Sequence, residues 1–223
     1  MRSDHEIQKD VQHELEWEPS LQHEDIAVAV RGGVVTLAGF AKSYADKLTA
    51  ERLAGRIKGV KAIANDIEIR LLSSWLRPDP EIARAALDAL KWHISVPDER
   101  IKVTVAQGTV TLAGDVEWFY QKEAAEDAVR MLTGVKGVSN LIAVKARPTS
   151  ADVKKKIKEA LHRGAEFEAD QITVDIDGQK AILRGTVRTY AERRDAERAA
   201  WNAPSVTDVD NRLTVEPYAF AAV

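Results

Sequence analysis

The sequence predicts an α+β protein of three tandem α-β-β-α-β modules, each a three-stranded mixed sheet with two helices on one face. Three observations carry that expectation. The stretch Gly108 to Gly114, Gly-Thr-Val-Thr-Leu-Ala-Gly, has close copies at Gly33 to Gly39 and Gly178 to Gly185. Aligning the closing glycines Gly39, Gly114 and Gly185 superposes the chain on itself three times without a gap, from Ile7, Ile82 and Val153 to Ile69, Val144 and Val215. Within each copy the apolar spacing changes from four residues to two, as expected where helix gives way to strand. The modules are placed at residues 1–72, 78–147 and 149–218. Each aligned unit has about 63 residues, a size that buries only about 60% of the surface its unfolded chain exposes, so each copy is expected to be marginal alone and to gain from contacts with its neighbours.

The first helix of each copy follows from Ile7, Val11, Leu15; Ile82, Ala86, Leu90; and Val153, Ile157, Leu161. Asp4, Asp79 and Ser150 occupy the aligned N-cap position, with Pro80 at the first helical position and acidic Glu6, Glu81 and Asp152 following on the side the helix dipole favours. The strand pattern then runs through Ile26, Val28, Val30; Ile101, Val103, Val105; and Ile172, Val174, Ile176. Gly32-Gly33, Gln107-Gly108 and Asp177-Gly178 tolerate positive φ, so this strand and the next should form a hairpin. The closing glycines sit at a strand end where a side chain would obstruct a bulge or another backbone.

A second helix is expected to bury the small residues Ala50, Ala125 and Ala196, with Leu53, Ala128 and Ala199 on the same stripe. Glu51, Glu126 and Glu197 recur beside them as solvated or paired carboxylates. The last strand carries Asn65, Asn140 and Asn211, and the poor β propensity of Asn points to a local hydrogen-bonding or bulge role. A strand, helix, strand passage returns the chain parallel to where it left, which makes each sheet mixed. In the first linker, Leu71, Leu72, Trp75 and Leu76 are expected to be buried against a neighbouring repeat, fixing repeats 1 and 2 together and leaving repeat 3 freer.

With the element order, the Gly-x-Val-x-Leu-x-Gly signature and the Val-x-x-Val/Ile-x-Asn stretch in hand, the copies resemble BON domains, the bacterial osmotic-stress and nodulation module. Repeat 3 departs most, with Gln179-Lys180 between Gly178 and Ala181, and Pro204-Ser205 where repeat 1 has Lys58-Gly59. The resemblance implies a non-enzymatic module that attaches to phospholipid surfaces or cell-envelope assemblies. The sequence has no cysteine and a net charge of -3, which excludes thiolate metal sites and argues against a general polyanion binder. His5, His13, His23, His93 and His162 never recur at one aligned position, so no metal is expected, and no phosphate loop or catalytic triad pattern implies a cofactor or an enzyme. The element order also resembles one class of KH domain, but Gly55-Arg-Ile-Lys-Gly59 lacks the required Gly-x-x-Gly spacing, so nucleic acid is not an expected partner.

The start, Met-Arg-Ser-Asp-His-Glu, shows no apolar leader, and no run of about 18 apolar residues spans a membrane. The expectation is a cytoplasmic protein peripheral to a membrane, periplasmic only if a leader has been removed.

Positions that break the repeat are not explained by the repeat's fold. Trp118 and Tyr120 stand where repeat 1 has Ser43 and Ala45 and repeat 3 has Thr189 and Ala191, so Trp118 displaces an N-cap. Between them Phe119 takes an aromatic slot shared with Tyr44 and Tyr190 and is assigned to the core, while the aligned Trp17 and Trp92, after the first helix, are expected to cover the core. The first helix is acidic in repeat 1, through Asp4, Glu6, Asp10, Glu14, Glu16 and Glu18. In repeat 3 it is basic, through Lys154, Lys155, Lys156, Lys158 and Arg163. Trp118, Tyr120 and the five basic residues are the candidate contacts to an anionic phospholipid surface or an envelope protein; packing of the two aromatics against another repeat, and a solvated charged face for the basic helix, are the competing readings. The alternative is a structural scaffold that forms homo-oligomers through the opposed helices of repeats 1 and 3.

Overall fold

The computed structural model describes residues 2–145, 153, 157, 171–203 and 206–216. Repeat 1 runs α1 (Asp4–Glu16), β1 (Ile26–Arg31), β2 (Val34–Ala41), α2 (Tyr44–Arg56) and β3 (Ala62–Ile69). Repeat 2 runs α3 (Asp79–Trp92), β4 (Ile101–Ala106), β5 (Thr109–Val116), α4 (Phe119–Arg130) and β6 (Gly137–Val144). In repeat 3, Val153 and Ile157 are helical, followed by β7 (Ile172–Asp177), β8 (Lys180–Val187), α5 (Tyr190–Trp201) and β9 (Asp208–Val215).

Each repeat has its own three-stranded sheet with the middle strand of the sequence in the middle of the sheet. The hairpin pairs β1–β2, β4–β5 and β7–β8 are antiparallel, and β5–β6 and β8–β9 are parallel. In repeat 1, Lys61 N donates to Gly33 O at 2.9 Å before β2 and β3 begin, and Arg70 N to Ala41 O at 2.8 Å where they end, so this pair runs parallel too. The mixed sheet follows from chain order, because a helix between two strands brings the second back in the same direction.

The helix stripes close one face of each sheet. Ile7, Val11 and Leu15 of α1 and Ile82, Ala86 and Leu90 of α3 are buried, as is Ile157, with Val153 packed on the core of repeat 3. On the second helices the buried stripe is Ala50 and Ala54, Ala125 and Val129, Ala196 and Ala200, one turn apart. Leu53 of α2 is buried as well, whereas the aligned Ala128 and Ala199 are half-buried, the smaller side chain reaching less far under the helix.

Asp4 and Asp79 are not caps. Ser3 caps α1, its hydroxyl accepting from Glu6 N at 3.3 Å while Glu6 accepts from Ser3 N at 2.7 Å. Pro78 precedes α3, which makes Pro80 the second helical residue, still among the donors no helix satisfies. Asp79 instead accepts from Gln107 N at 2.8 Å and Gly108 N at 2.9 Å, and Asp4 accepts from Gly32 N at 2.7 Å and Gly33 N at 3.0 Å. The start of the first helix is thereby tied to the hairpin turn. Ser150, the aligned residue of repeat 3, lies outside the described residues.

In repeat 3 the pairing of Asp177 with Lys180 makes the turn Gly178-Gln179, one residue later than expected. The closing glycines have φ of +120° to +142°, and a Cβ at Gly39, Gly114 or Gly185 would lie 2.1, 2.1 or 1.9 Å from the carbonyl oxygen of Asp25, Arg100 or Gln171. Only a residue without a side chain lets the strand before it approach that closely.

The chain divides into two compact units, one of Met1–Phe40, Lys47–Glu68 and Thr149–Val223, the other of Ala41–Asp46 and Ile69–Pro148. Repeat 3 is therefore not the free module: it shares a unit with most of repeat 1. In that unit a Cβ built on Gly55 would meet the Tyr190 ring at 3.4 Å, at a helical position where repeats 2 and 3 carry Arg130 and Trp201. In the other unit, Tyr44 packs against the core of repeat 2. The shared aromatic slot thus joins repeats in these two cases, and Phe119 is half-buried. The linker residues Leu72, Trp75 and Leu76 are exposed and Leu71 is half-buried, which corrects their assignment to a buried contact. A 3-10 turn at Ser73–Trp75 orders the segment through backbone bonds rather than through burial.

Candidate contact surface

The recurring asparagines bind the second helix to the last strand. Asn140 Nδ2 donates to Lys122 O at 2.8 Å and to Glu126 Oε2 at 3.2 Å, while its Oδ1 accepts from Ile142 N at 3.3 Å. Asn65 makes the same bonds to Lys47 O, Glu51 and Ile67 N, and Asn211 to Arg193 O, Glu197 and Leu213 N. The recurring glutamates therefore have an amide partner, and the asparagine side chain occupies both its donor and acceptor in structure.

A recurring cation at the aligned position escaped the sequence reading. Lys47 Nζ donates to Ile67 O at 2.8 Å, and Arg193 donates from Nε to Leu213 O at 3.1 Å and from Nη2 to Asn211 O at 2.9 Å. The third member, Lys122, is half-buried. Burial lowers its pKa more than the Glu126 carboxylate raises it. The signal was available as a basic residue at the same offset three times.

Exposed aromatic side chains collect at one end of repeat 2. Asp79 anchors the start of α3 to the hairpin turn, so the 14 residues of α3 carry Trp92 to the opposite end of the module. There β5 ends at Val116 and α4 begins at Phe119, which brings Trp118 and Tyr120 to the same end. Trp92 is 87% exposed, Trp118 41% and Tyr120 49%, and Ile94 beside Trp92 is also fully exposed. Trp17, aligned with Trp92, is 83% exposed, so the expectation that this pair covers the core is overturned. Both lie at the ends of their helices, where the buried stripe stops at Leu15 and Leu90.

Trp118 has the extended backbone of an N-cap and no side-chain acceptor. Gln121 Oε1 compensates from the other side, accepting from Trp118 N at 3.0 Å and Glu117 N at 3.1 Å. In repeats 1 and 3 the usual half is present: Asp46 N donates to Ser43 Oγ at 3.1 Å and Glu192 N to Thr189 Oγ1 at 3.0 Å. Lys154, Lys155, Lys156, Lys158 and Arg163 lie outside the described residues. Among the described residues no group of three or more His, Cys, Asp or Glu is placed to hold a metal ion, and no helix is long and apolar enough to cross a membrane.

Comparison with known proteins places these repeats. Osmotically-inducible protein Y of Escherichia coli (strain K12) is 28% identical over 130 residues, which are 56% of this chain and 65% of that protein, just under two thirds of its length. Two solved structures of CdsD, a structural protein of the type III secretion system of Chlamydia trachomatis, cover 94% and 93% of this chain and 96% and 91% of theirs. They have 14% and 13% identity and TM-scores of 0.27 and 0.26, at which no common arrangement follows. The BON domain model matches three times, at residues 3–70, 78–146 and 149–217. The chain belongs to the BON domain family, and carries three copies in tandem.

Proposed function

We propose that this protein is a non-catalytic binding protein that associates with anionic phospholipid surfaces, or with an envelope assembly at such a surface, in the response to osmotic stress. The observation that carries the reading is the exposure of Trp92, Ile94, Trp118 and Tyr120, whose segments lie at the same end of repeat 2. Indole and phenol rings have an apolar body and a polar tip, which suits the boundary between lipid headgroups and acyl chains. The recurrence of the exposed tryptophan as Trp17 supports the same use, because repetition of a fully exposed indole has no packing benefit within the module. The cations Lys154, Lys155, Lys156, Lys158 and Arg163 add attraction to anionic lipid of about 1 kcal/mol for each one near the surface. The link to osmotic stress is supported by family membership and by the name of the Escherichia coli relative.

Flotation with vesicles of phosphatidylglycerol and phosphatidylcholine tests this reading. Binding is expected to anionic vesicles, to weaken as salt rises, and to fall on zwitterionic vesicles. Failure to float with anionic vesicles at low salt would overturn the lipid reading.

A further inference from the structure

We propose that repeat 2 pairs with a second copy of this chain through the outer edge of its sheet, β4 against β4, with the two α3 helices side by side. In the hairpin of repeat 2, Ala106 and Thr109 flank a two-residue turn and exchange both backbone bonds. Counting back, Thr104 and Lys102 aim their backbone groups at β5, while Val105 and Val103 aim theirs outward. Among the described residues nothing bonds those outward groups.

Repeat 1 has a device at this place that repeat 2 lacks. Gln8 Nε2 donates at 2.8 Å to the carbonyl of Val28, the residue aligned with Val103, and so occupies the edge. The residue aligned with Gln8 is Ala83, which has nothing to donate. One turn further along the same side of the helix, Gln12 of repeat 1 is matched by Leu87, which is 53% exposed. Repeat 3 has Lys154 and Lys158 at the two positions, outside the described residues. Of the two modules whose first helix is fully described, repeat 2 alone combines an unplugged edge with an apolar helix stripe above it. Edges of that kind are normally blocked because they recruit another strand.

A second copy fits because the surface complements itself about a two-fold axis through Val103. Antiparallel pairing there sets Val103 opposite Val103 of the second copy and Ile101 opposite its Val105, both on the helix side of the sheet. Lys102 faces Thr104, and Arg100 faces Ala106, so no like charges meet across the strands. Ile101 N is already committed to Asp98 O, which leaves four interchain bonds: two between the Val103 residues, and one from each Val105 N to Ile101 O. Leu87 from each α3 then covers its counterpart. The pairing uses none of Trp92, Ile94, Trp118 and Tyr120, and it does not rest on lipid binding.

Sedimentation velocity of the full chain without lipid, from micromolar to hundreds of micromolar concentration, tests the pairing. The wild type is expected to shift from monomer to dimer. Ala83→Gln with Leu87→Gln, which imports the residues of repeat 1, is expected to weaken the dimer by at least about tenfold with an unchanged melting temperature. A wild type that stays monomeric throughout, or a folded double variant that dimerises as tightly, would overturn the proposal. Should the variant unfold, amide exchange on the wild type decides: the Val103 and Val105 amides slow with concentration if they pair, and concentration-independent exchange rejects pairing.

Discussion

Asn140 of β6 and Glu126 of α4 meet amide to carboxylate at 3.2 Å, and the same amide nitrogen holds the Lys122 carbonyl at 2.8 Å. The bond crosses from sheet to helix, so it fixes where α4 lies on β6. Asn140→Ala is expected to cost about 1 to 3 kcal/mol, since it leaves polar groups unpaired at a half-buried site. Asn140→Asp should cost more at neutral pH, because it loses the donor and sets a carboxylate against Glu126. Urea unfolding followed by tryptophan fluorescence measures both, and an alanine variant as stable as the wild type would contradict the role.

Gly55 admits the Tyr190 ring in the unit that holds repeats 1 and 3. Gly55→Ala places a methyl at ordinary contact distance, 3.4 Å from the ring, and should raise stability by up to about 1 kcal/mol through helix propensity. Gly55→Arg, the residue of repeat 2, should displace Tyr190 and lower the melting temperature. Equal melting of the arginine variant and the wild type would show that the contact carries no weight.

Glu6 accepts from the backbone N–H and then the hydroxyl of Ser3, and these bonds lower its pKa from the ordinary 4.5. The folded state therefore binds the proton less readily than the unfolded chain. The contribution to the end of α1 is complete above about pH 4.5 and is lost as pH falls through the lower folded value. Amide exchange at the first turn of α1 should accelerate, relative to a peptide control, across that window. Glu6→Gln keeps an acceptor and should flatten the response.

Trp118→Ser restores the cap that repeat 1 has in Ser43, while Gln121 keeps its own two bonds. Stability should be unchanged or higher by up to about 1 kcal/mol. A thermal unfolding shift equivalent to a loss of about 3 kcal/mol or more would instead mark the indole as packed.

The strands, helix faces and module order were legible because period and register recur three times, and the closing glycines because a strand end with no side chain points to close approach. Asp4 and Asp79 were not. Their partners lie 28 and 29 residues downstream, and an Asp beside a helix start reads equally as a cap. Trp17 and Trp92 show a related limit: recurrence reports that two positions share a role without saying whether it is inside or outside. The apolar composition of the linker suggests burial of its leucines and Trp75, yet backbone bonds order that segment and leave most of its apolar side chains exposed. Tyr44 and Tyr190 occupy one sequence slot but reach other repeats, which no period within a repeat encodes.

The most direct test of the contact surface is vesicle flotation and thermal unfolding of one double variant, Trp92→Ser with Trp118→Ser. Both indoles are exposed at the same end of repeat 2, so their loss should leave melting unchanged or slightly raised. Binding to phosphatidylglycerol vesicles should fall by at least about tenfold. Undiminished flotation of the folded variant would contradict the account.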